Sequence, residues 1–221
     1  MNTAHAPSFV GYLSRYQGIS LGTRAFLTLR WKLTPYLAMA RHLPRQGKIL
    51  DLGCGHGLLA LALALESSDR QVHGIDHDAA RVEAANTASQ GIPNLKFQKG
   101  NVLDPPPGHY QGIAMIDVMH YFEPKLQEKI FRQAFDALDP QGCLIVREVD
   151  PAGGGLASWF NRFYEKVATM TGFTRAEKPG LHFRAPSGWI QALESVGFQV
   201  TSERCSSKLF ADILYVCRKN A

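Results

Sequence analysis

The chain has 221 residues, 45% of them hydrophobic, with a formal charge of +5 and four cysteines. That length and apolar content can bury a substantial core without disulfides or metal. The scattered Cys54, Cys143, Cys205 and Cys217 form no C-x-x-C pair, which argues against a zinc site or disulfide framework and fits the reducing cytoplasm.

No apolar run approaches the roughly 20 residues of a membrane-spanning helix, and the N-terminus lacks the continuous apolar core of a secretory signal. Residues 1–50 hold seven Lys/Arg and no Asp or Glu, leaving 17 basic against 19 acidic residues in the remainder. Such a segment can face nucleic acid, an anionic membrane surface or an acidic carrier protein, or be a solvated basic face. Its composition is also that of a transit peptide. Against that, Thr34-Pro35 reads as an N-cap and first-turn pair opening a helix that reaches about His42 and stops at Pro44. Leu37, Met39 and Ala40 give this helix apolar surface. With Phe9, Tyr12, Tyr16, Phe26, Trp31 and Tyr36, residues 1–46 are expected to form a helical cap over the acceptor site.

The run Lys48-Ile49-Leu50-Asp51-Leu52-Gly53-Cys54-Gly55-His56-Gly57 reads as a buried strand ending in an acid, then a glycine turn into a helix over Leu58–Leu65. Glycines at such a junction let backbone approach a ligand, and the helix start supplies N–H donors. A nicotinamide fingerprint needs its third glycine five positions after the first, where Leu58 stands. Asp51 would also repel a pyrophosphate. An acid beside the loop suits a cationic cofactor, such as one with a sulfonium and an α-amino group. Here the sequence resembles the class I S-adenosylmethionine-dependent methyltransferases, whose first motif has the form acid-x-Gly-x-Gly-x-Gly. The resemblance implies that the loop, with Cys54 and Gly57 in it, passes the methionine moiety. Gly53 and Gly55 would lie against the ligand, and Asp51 would hold the amino group.

A second strand, Gln71–Asp76, ends in an acid 23 residues after Gly53. An acid about 20 residues past the glycine turn commonly accepts hydrogen bonds from ribose hydroxyls. Asp76 fits that role with His77 beside it, and the alternative is an N-cap for the helical stretch that reaches about Ser89. A third strand, Leu95–Gly100, leads to Asn101, where related methyltransferases place an Asp on the adenine amino group. An Asn carbonyl can accept the same bond, and Val102 would pack on the adenine ring or donate its backbone N–H. A fourth, nearly all-apolar strand, Gly112–Asp117, fits a parallel strand covered on both faces. The family resemblance implies that it delivers Asp117 to the cofactor site and His120 to the rim of the transfer site.

A helix over Pro124–Leu138, a fifth strand over Gly142–Val149 and a helix over Ser187–Val196 continue the alternation. Strands at Phe198–Thr201 and Asp212–Cys217 are close enough to pair as an antiparallel hairpin. The pattern predicts an α/β fold, a doubly wound and mostly parallel sheet with helices on both faces. The family resemblance implies seven strands with one antiparallel C-terminal strand. One domain is expected over 1–221, with residues 151–186 inserted as a lid. A helix there would align Leu156, Trp159, Phe160, Phe163, Val167 and Met170, above the carboxyl ends of the strands.

Aligning a nucleophile with the methyl group is the main demand of such a transfer, and a base helps where the acceptor must lose a proton. His120 is the first candidate base. His182 and Arg184 are the second, the latter as a clamp for a carboxylate or phosphate, and Tyr12 and Tyr16 stand further out. No metal site is expected, since His73 and His77 span a strand end with no third ligand. Enzymes that methylate exocyclic base amines resemble one another in an Asp/Asn-Pro-Pro-aromatic run after the fourth strand. Asp117-Val118-Met119-His120 does not match it, so nucleic acid is a minor alternative resting on the basic N-terminus. The stretches Met115–Tyr121 and Arg147–Pro151 resemble small bacterial methyltransferases of aryl-polyene pigment clusters. That implies an aromatic or acyl-type acceptor, free or on an acidic carrier protein, methylated on oxygen or carbon. A protein methyltransferase, a nicotinamide-dependent oxidoreductase and a non-catalytic module that keeps the fold are the remaining alternatives.

Overall fold

The computed structural model describes residues 9–152, 180–205 and 212–220. Its strands are β1 (Gly47–Leu52), β2 (Arg70–Asp76), β3 (Leu95–Lys99), β4 (Tyr110–Ile116), β5 (Leu138–Val149), β6 (Phe198–Arg204) and β7 (Asp212–Lys219). They form one seven-stranded sheet in the order β3-β2-β1-β4-β5-β7-β6. β7 runs antiparallel to both β5 and β6, and the other pairings are parallel. This is the expected mixed sheet with one reversed C-terminal strand. The four C-terminal residues of β1 are buried, as is nearly all of β4. Their near-continuous apolar runs match strands covered on both faces.

One face of the sheet carries α1 (Phe9–Leu13), α2 (Leu21–Leu33), α3 (Tyr36–Ala40), α4 (Leu58–Glu66) and α5 (Ala79–Ala88). The other carries α6 (Pro124–Ala137) and α7 (Pro186–Val196), with a single 3-10 turn at Met119–Tyr121. Every residue of α4 from Leu58 to Ala64 is buried. A helix apolar on all sides needs cover on all sides, and α3 supplies it on the side away from the sheet. α6 instead buries a stripe of Gln127, Ile130, Phe131 and Ala134. Asp78 caps α5, accepting from Ala80 and Arg81 N–H.

The N-terminal helices differ from expectation in detail. Thr34 closes α2 instead of opening the next helix, because Pro35 takes a non-helical ψ of 64°. α3 then lasts only to Ala40 before 3-10-type turns lead to Leu43. Met39 and Ala40 are buried, while Leu37 is exposed. The amphipathic helix expected over Leu156–Met170 lies outside the described residues.

One buried side chain fastens this segment to the sheet. All five N–H groups of Arg70, fully buried at the start of β2, are used. Nε donates to Pro44 O, Nη1 to Leu63 O and Glu66 Oε2, and Nη2 to Ala40 O and Leu43 O. The guanidinium thus serves the orphan carbonyls at the C-terminal ends of α3 and α4. Four of the seven N-terminal cations are likewise spent on internal bonds. Arg15 donates to Ala88 O and Gln90 O, Arg24 to Leu13 O and Tyr16 O, Arg30 to Asp117, and Arg45 to Glu66 O. Lys32, Arg41, Arg45 and Lys48 are exposed. Arg70→Met keeps the bulk but strands four carbonyls and a carboxylate. It is expected to lower the unfolding free energy by about 3 kcal/mol, measured by urea denaturation; unchanged stability would contradict this role.

Candidate active site

A cleft of about 830 Å³ opens at the carboxyl ends of β1, β2 and β4, beside the point where strand order reverses and where ligands of open α/β sheets bind. The glycine loop forms its floor. Gly53, Gly55 and Gly57 all have positive φ, at 75°, 55° and 80°, but they do different things. A Cβ on Gly53 would meet Val118 at 2.5 Å, and one on Gly57 would meet the Phe97 ring at 2.4 Å, so both glycines serve packing. A Cβ on Gly55 would meet nothing within 4 Å and would project into open space. Gly57 does not line the cleft and begins α4 in a left-handed conformation.

Three acids face this floor. Asp51 is buried at the end of β1, and its Oδ2 has no hydrogen-bond partner among the described residues. Burial, reinforced by the nearby Asp76 carboxylate, pushes its pKa up to about 7. Asp76 Oδ2 accepts the Gly55 N–H at 2.8 Å and Oδ1 accepts the Asp78 N–H, so it braces the loop it faces. His77 lies exposed at the rim, 3.4 Å from Asp76 Oδ1. His56 lines the loop side; burial first, then Arg81, lowers its pKa to about 4, so the imidazole is neutral. Its carbonyl accepts the Tyr16 hydroxyl proton, which ties the N-terminal segment to the loop. Val102 is buried in the wall, and Asn101 is exposed with its Oδ1 accepting the Leu103 N–H.

The third acid, Asp117, stands just past β4 in a left-handed conformation, φ 55°. Arg30 from α2 reaches its Oδ2 at 2.6 Å, and Arg147 from β5 contacts both oxygens at 2.5 Å. Burial works to raise the Asp117 pKa, but the two guanidiniums outweigh it and hold the carboxyl below its ordinary range. Arg147 also pairs with Asp212. One ionic chain therefore joins α2, the end of β4, β5 and β7.

Past Asp117 the cleft becomes aromatic, with Phe26, Tyr36, Tyr121 and Phe122 around it and His182 on its wall. Of the three candidate catalytic residues, His182 alone lines the cleft. His120 is 3% exposed, behind the wall; its Nδ1 is 2.7 Å from Glu148 Oε2, and its ring stacks on Phe183. Arg184 donates to Gln127 Oε1, Pro124 O and Glu128, not into the cleft. Tyr12 and Tyr16 are buried away from it.

Gln127 organises this half. Fully buried on α6, it donates through Nε2 to Met119 O, Phe122 O and His182 O, while Arg184 donates to its Oε1. The His182 N–H in turn donates to His120 O at 2.7 Å. Neither Gln127 nor Glu148 was singled out from the sequence, although both leave a trace there. Gln127 is the polar member of an apolar helical stripe, and Arg147-Glu148 is a charged pair ending the apolar run Leu144–Val146.

Residues 49–142 match a methyltransferase-domain family. The release factor glutamine methyltransferase of Vibrio cholerae is 36% identical over 100 residues, covering 38% of this chain and 35% of that protein. The ribosomal RNA large subunit methyltransferase G of Pseudomonas putida is 30% identical over 148 residues, covering 59% and 34%. The chain thus spans about a third of the length of these curated relatives. Magnesium protoporphyrin IX methyltransferase from Synechocystis, solved with S-adenosylhomocysteine, superposes with a TM-score of 0.67 at 15% identity, over 96% of this chain and 94% of that one. The family match over residues 49–142 and the shared fold make the chain similar to the S-adenosylmethionine-dependent methyltransferases. The residues fit that cofactor: one oxygen of a buried acid lacks a donor among the described residues, beside a glycine cradle that a Cβ would fill. Among the described residues no His/Cys/Asp/Glu group could hold a metal, and no helix is long and apolar enough to cross a membrane.

The Gln127 geometry makes an unusual prediction. Gln127→Glu keeps the acceptor for Arg184 but sets an oxygen against three carbonyls, whereas Gln127→Met merely leaves them unsatisfied. Both should destabilise by about 2 kcal/mol or more, with the Glu variant at least as unstable as the Met variant above pH 7. Equilibrium denaturation reads the order, and a near-native Gln127→Glu would contradict it.

Proposed function

We propose that the chain transfers a methyl group from S-adenosylmethionine to an oxygen or carbon atom of a small aromatic or acyl-type acceptor. When bound, the cofactor supplies an electrophilic methyl group on a sulfonium that is a good leaving group. Asp51 would face the cofactor's ammonium, Asp76 and His77 its ribose, and Asn101 and Val102 its base, with Gly53, Cys54 and Gly55 passing the methionine moiety.

The observation that carries the acceptor assignment is the state of Asp117. A transfer to an amide or exocyclic amine needs acceptors beyond β4 to take the amine hydrogens. At that position the Asp117 carboxylate is already occupied by Arg30 and Arg147. The aromatic half of the cleft offers apolar faces instead. His182, on the wall and fixed through both its N–H and its carbonyl, would take the proton from a phenol or enol. The buried His120–Glu148 pair would act through it by holding its backbone. Arg184 buttresses Gln127 in this account and does not clamp substrate. An acidic carrier would have only the exposed Lys32, Arg41, Arg45 and Lys48 of the seven N-terminal cations to dock on, so a free acceptor is the simpler reading. The similarity to enzymes named for ribosomal RNA and release factor favours a macromolecular acceptor as the second reading.

Gly55→Val, which fills the cradle, and Asp76→Ala are each expected to abolish S-adenosylhomocysteine binding in calorimetry. His182→Ala should bind within about threefold of wild type yet lose at least about tenfold in turnover. Labelled methyl transfer to a panel of phenols, with total RNA and ribosomes in parallel, tests the acceptor. Label in RNA or protein alone would overturn the small-molecule assignment.

A further inference from the structure

Two buried side-chain atoms in the cleft wall lack a hydrogen-bond partner among the described residues, and they carry opposite charge: Asp51 Oδ2 and Arg81 Nη2. Asp51 comes from the end of β1 and Arg81 from the first turn of α5. The glycine loop runs by both, since Cys54 lies within electrostatic range of each, with the open face of Gly55 next to it. Arg81 is largely buried, its side chain 16% exposed, and its ion-pair contact with Asp78 is a 3.7 Å approach through Nε, too long for a hydrogen bond. Asp78 spends its Oδ1 on capping α5. A guanidinium held out of water with an unused donor is costly unless a ligand takes it, and its planar fork suits a carboxylate.

A cleft that holds one unsatisfied carboxylate oxygen and one unsatisfied guanidinium nitrogen beside an open glycine matches a zwitterion. We propose that Arg81 is the anchor for the carboxylate of the cofactor's amino-acid end, as the counterpart of Asp51 for the ammonium. The assignment rests on the S-adenosylmethionine reading of this cleft. It adds a recognition element that the glycine motif does not contain and that tells the intact cofactor from adenosine compounds lacking the carboxylate.

The test is calorimetric titration of the wild type and of Arg81→Met with two ligands: S-adenosylhomocysteine and its decarboxylated analogue, which keeps the adenosine, thioether and ammonium. Methionine preserves helix propensity and bulk, and the analogue's affinity reports whether the variant is folded at the site. Wild type is expected to bind S-adenosylhomocysteine at least about tenfold more tightly than the analogue. Arg81→Met should weaken S-adenosylhomocysteine by a similar factor and leave the analogue within about twofold, so that the preference disappears. Equal weakening of both ligands would make Arg81 a structural support of α5, and weakening of neither would leave its nitrogen to water; each overturns the proposal. Wild type that binds neither ligand would overturn the cofactor reading beneath it.

Discussion

A carboxylate buried at the end of the first strand, with one oxygen lacking a donor among the described residues, is the constraint around which the site is arranged. Asp51 is out of water and close to Asp76, and burial with that neighbour raises its pKa to about 7. A folded protein tolerates such a group where a cation is to be bound, because the arriving charge supplies what the fold withholds. The loop after it bends through three left-handed glycines. Two are fixed by Val118 and Phe97, and the middle one is left open. Asp76 holds that middle glycine through its N–H. The floor is therefore preorganised before any ligand arrives, which is what alignment of reactants requires.

The other half of the cleft depends on contacts that cross the chain. Arg30 brings α2 to Asp117, Tyr16 brings the N-terminal segment to the glycine loop, and Arg70 secures α3 to the end of α4. Basic residues that suggest a docking surface when read in sequence mostly bond carbonyls and carboxylates inside the fold. Gln127 does the same work on the opposite wall, where one amide joins the turn after β4 to the segment carrying His182.

The sheet was largely legible in the sequence because central parallel strands must be apolar on both faces, and β1 and β4 read as such runs. The glycine loop was legible because acid, spacing and flanking periodicities coincide within ten residues. What escaped lies in long-range pairing. Nothing near Arg30 announces a partner 87 residues away, and α2 carries only a weakly one-sided pattern that composition did not resolve. His120 drew attention because an imidazole titrates near neutrality. The 3-10 turn and Glu148 instead hold it in the wall, while His182, a weaker sequence signal, lines the cleft. Gln127 and the Arg147-Glu148 pair could have been marked from pattern alone, as polar residues at positions where the period demands apolar ones.

The most direct measurement is titration with S-adenosylhomocysteine at pH 7 in two buffers of different ionisation enthalpy, for wild type and Asp51→Asn. A cationic ammonium seated against Asp51 lowers a pKa that lies near 7 in the free protein. Wild type should therefore bind with release of a fraction of a proton, and the variant should bind more weakly with no such release. Binding without proton release, or release that survives in Asp51→Asn, would contradict the role given to this carboxylate. No binding at all would contradict the cofactor site itself.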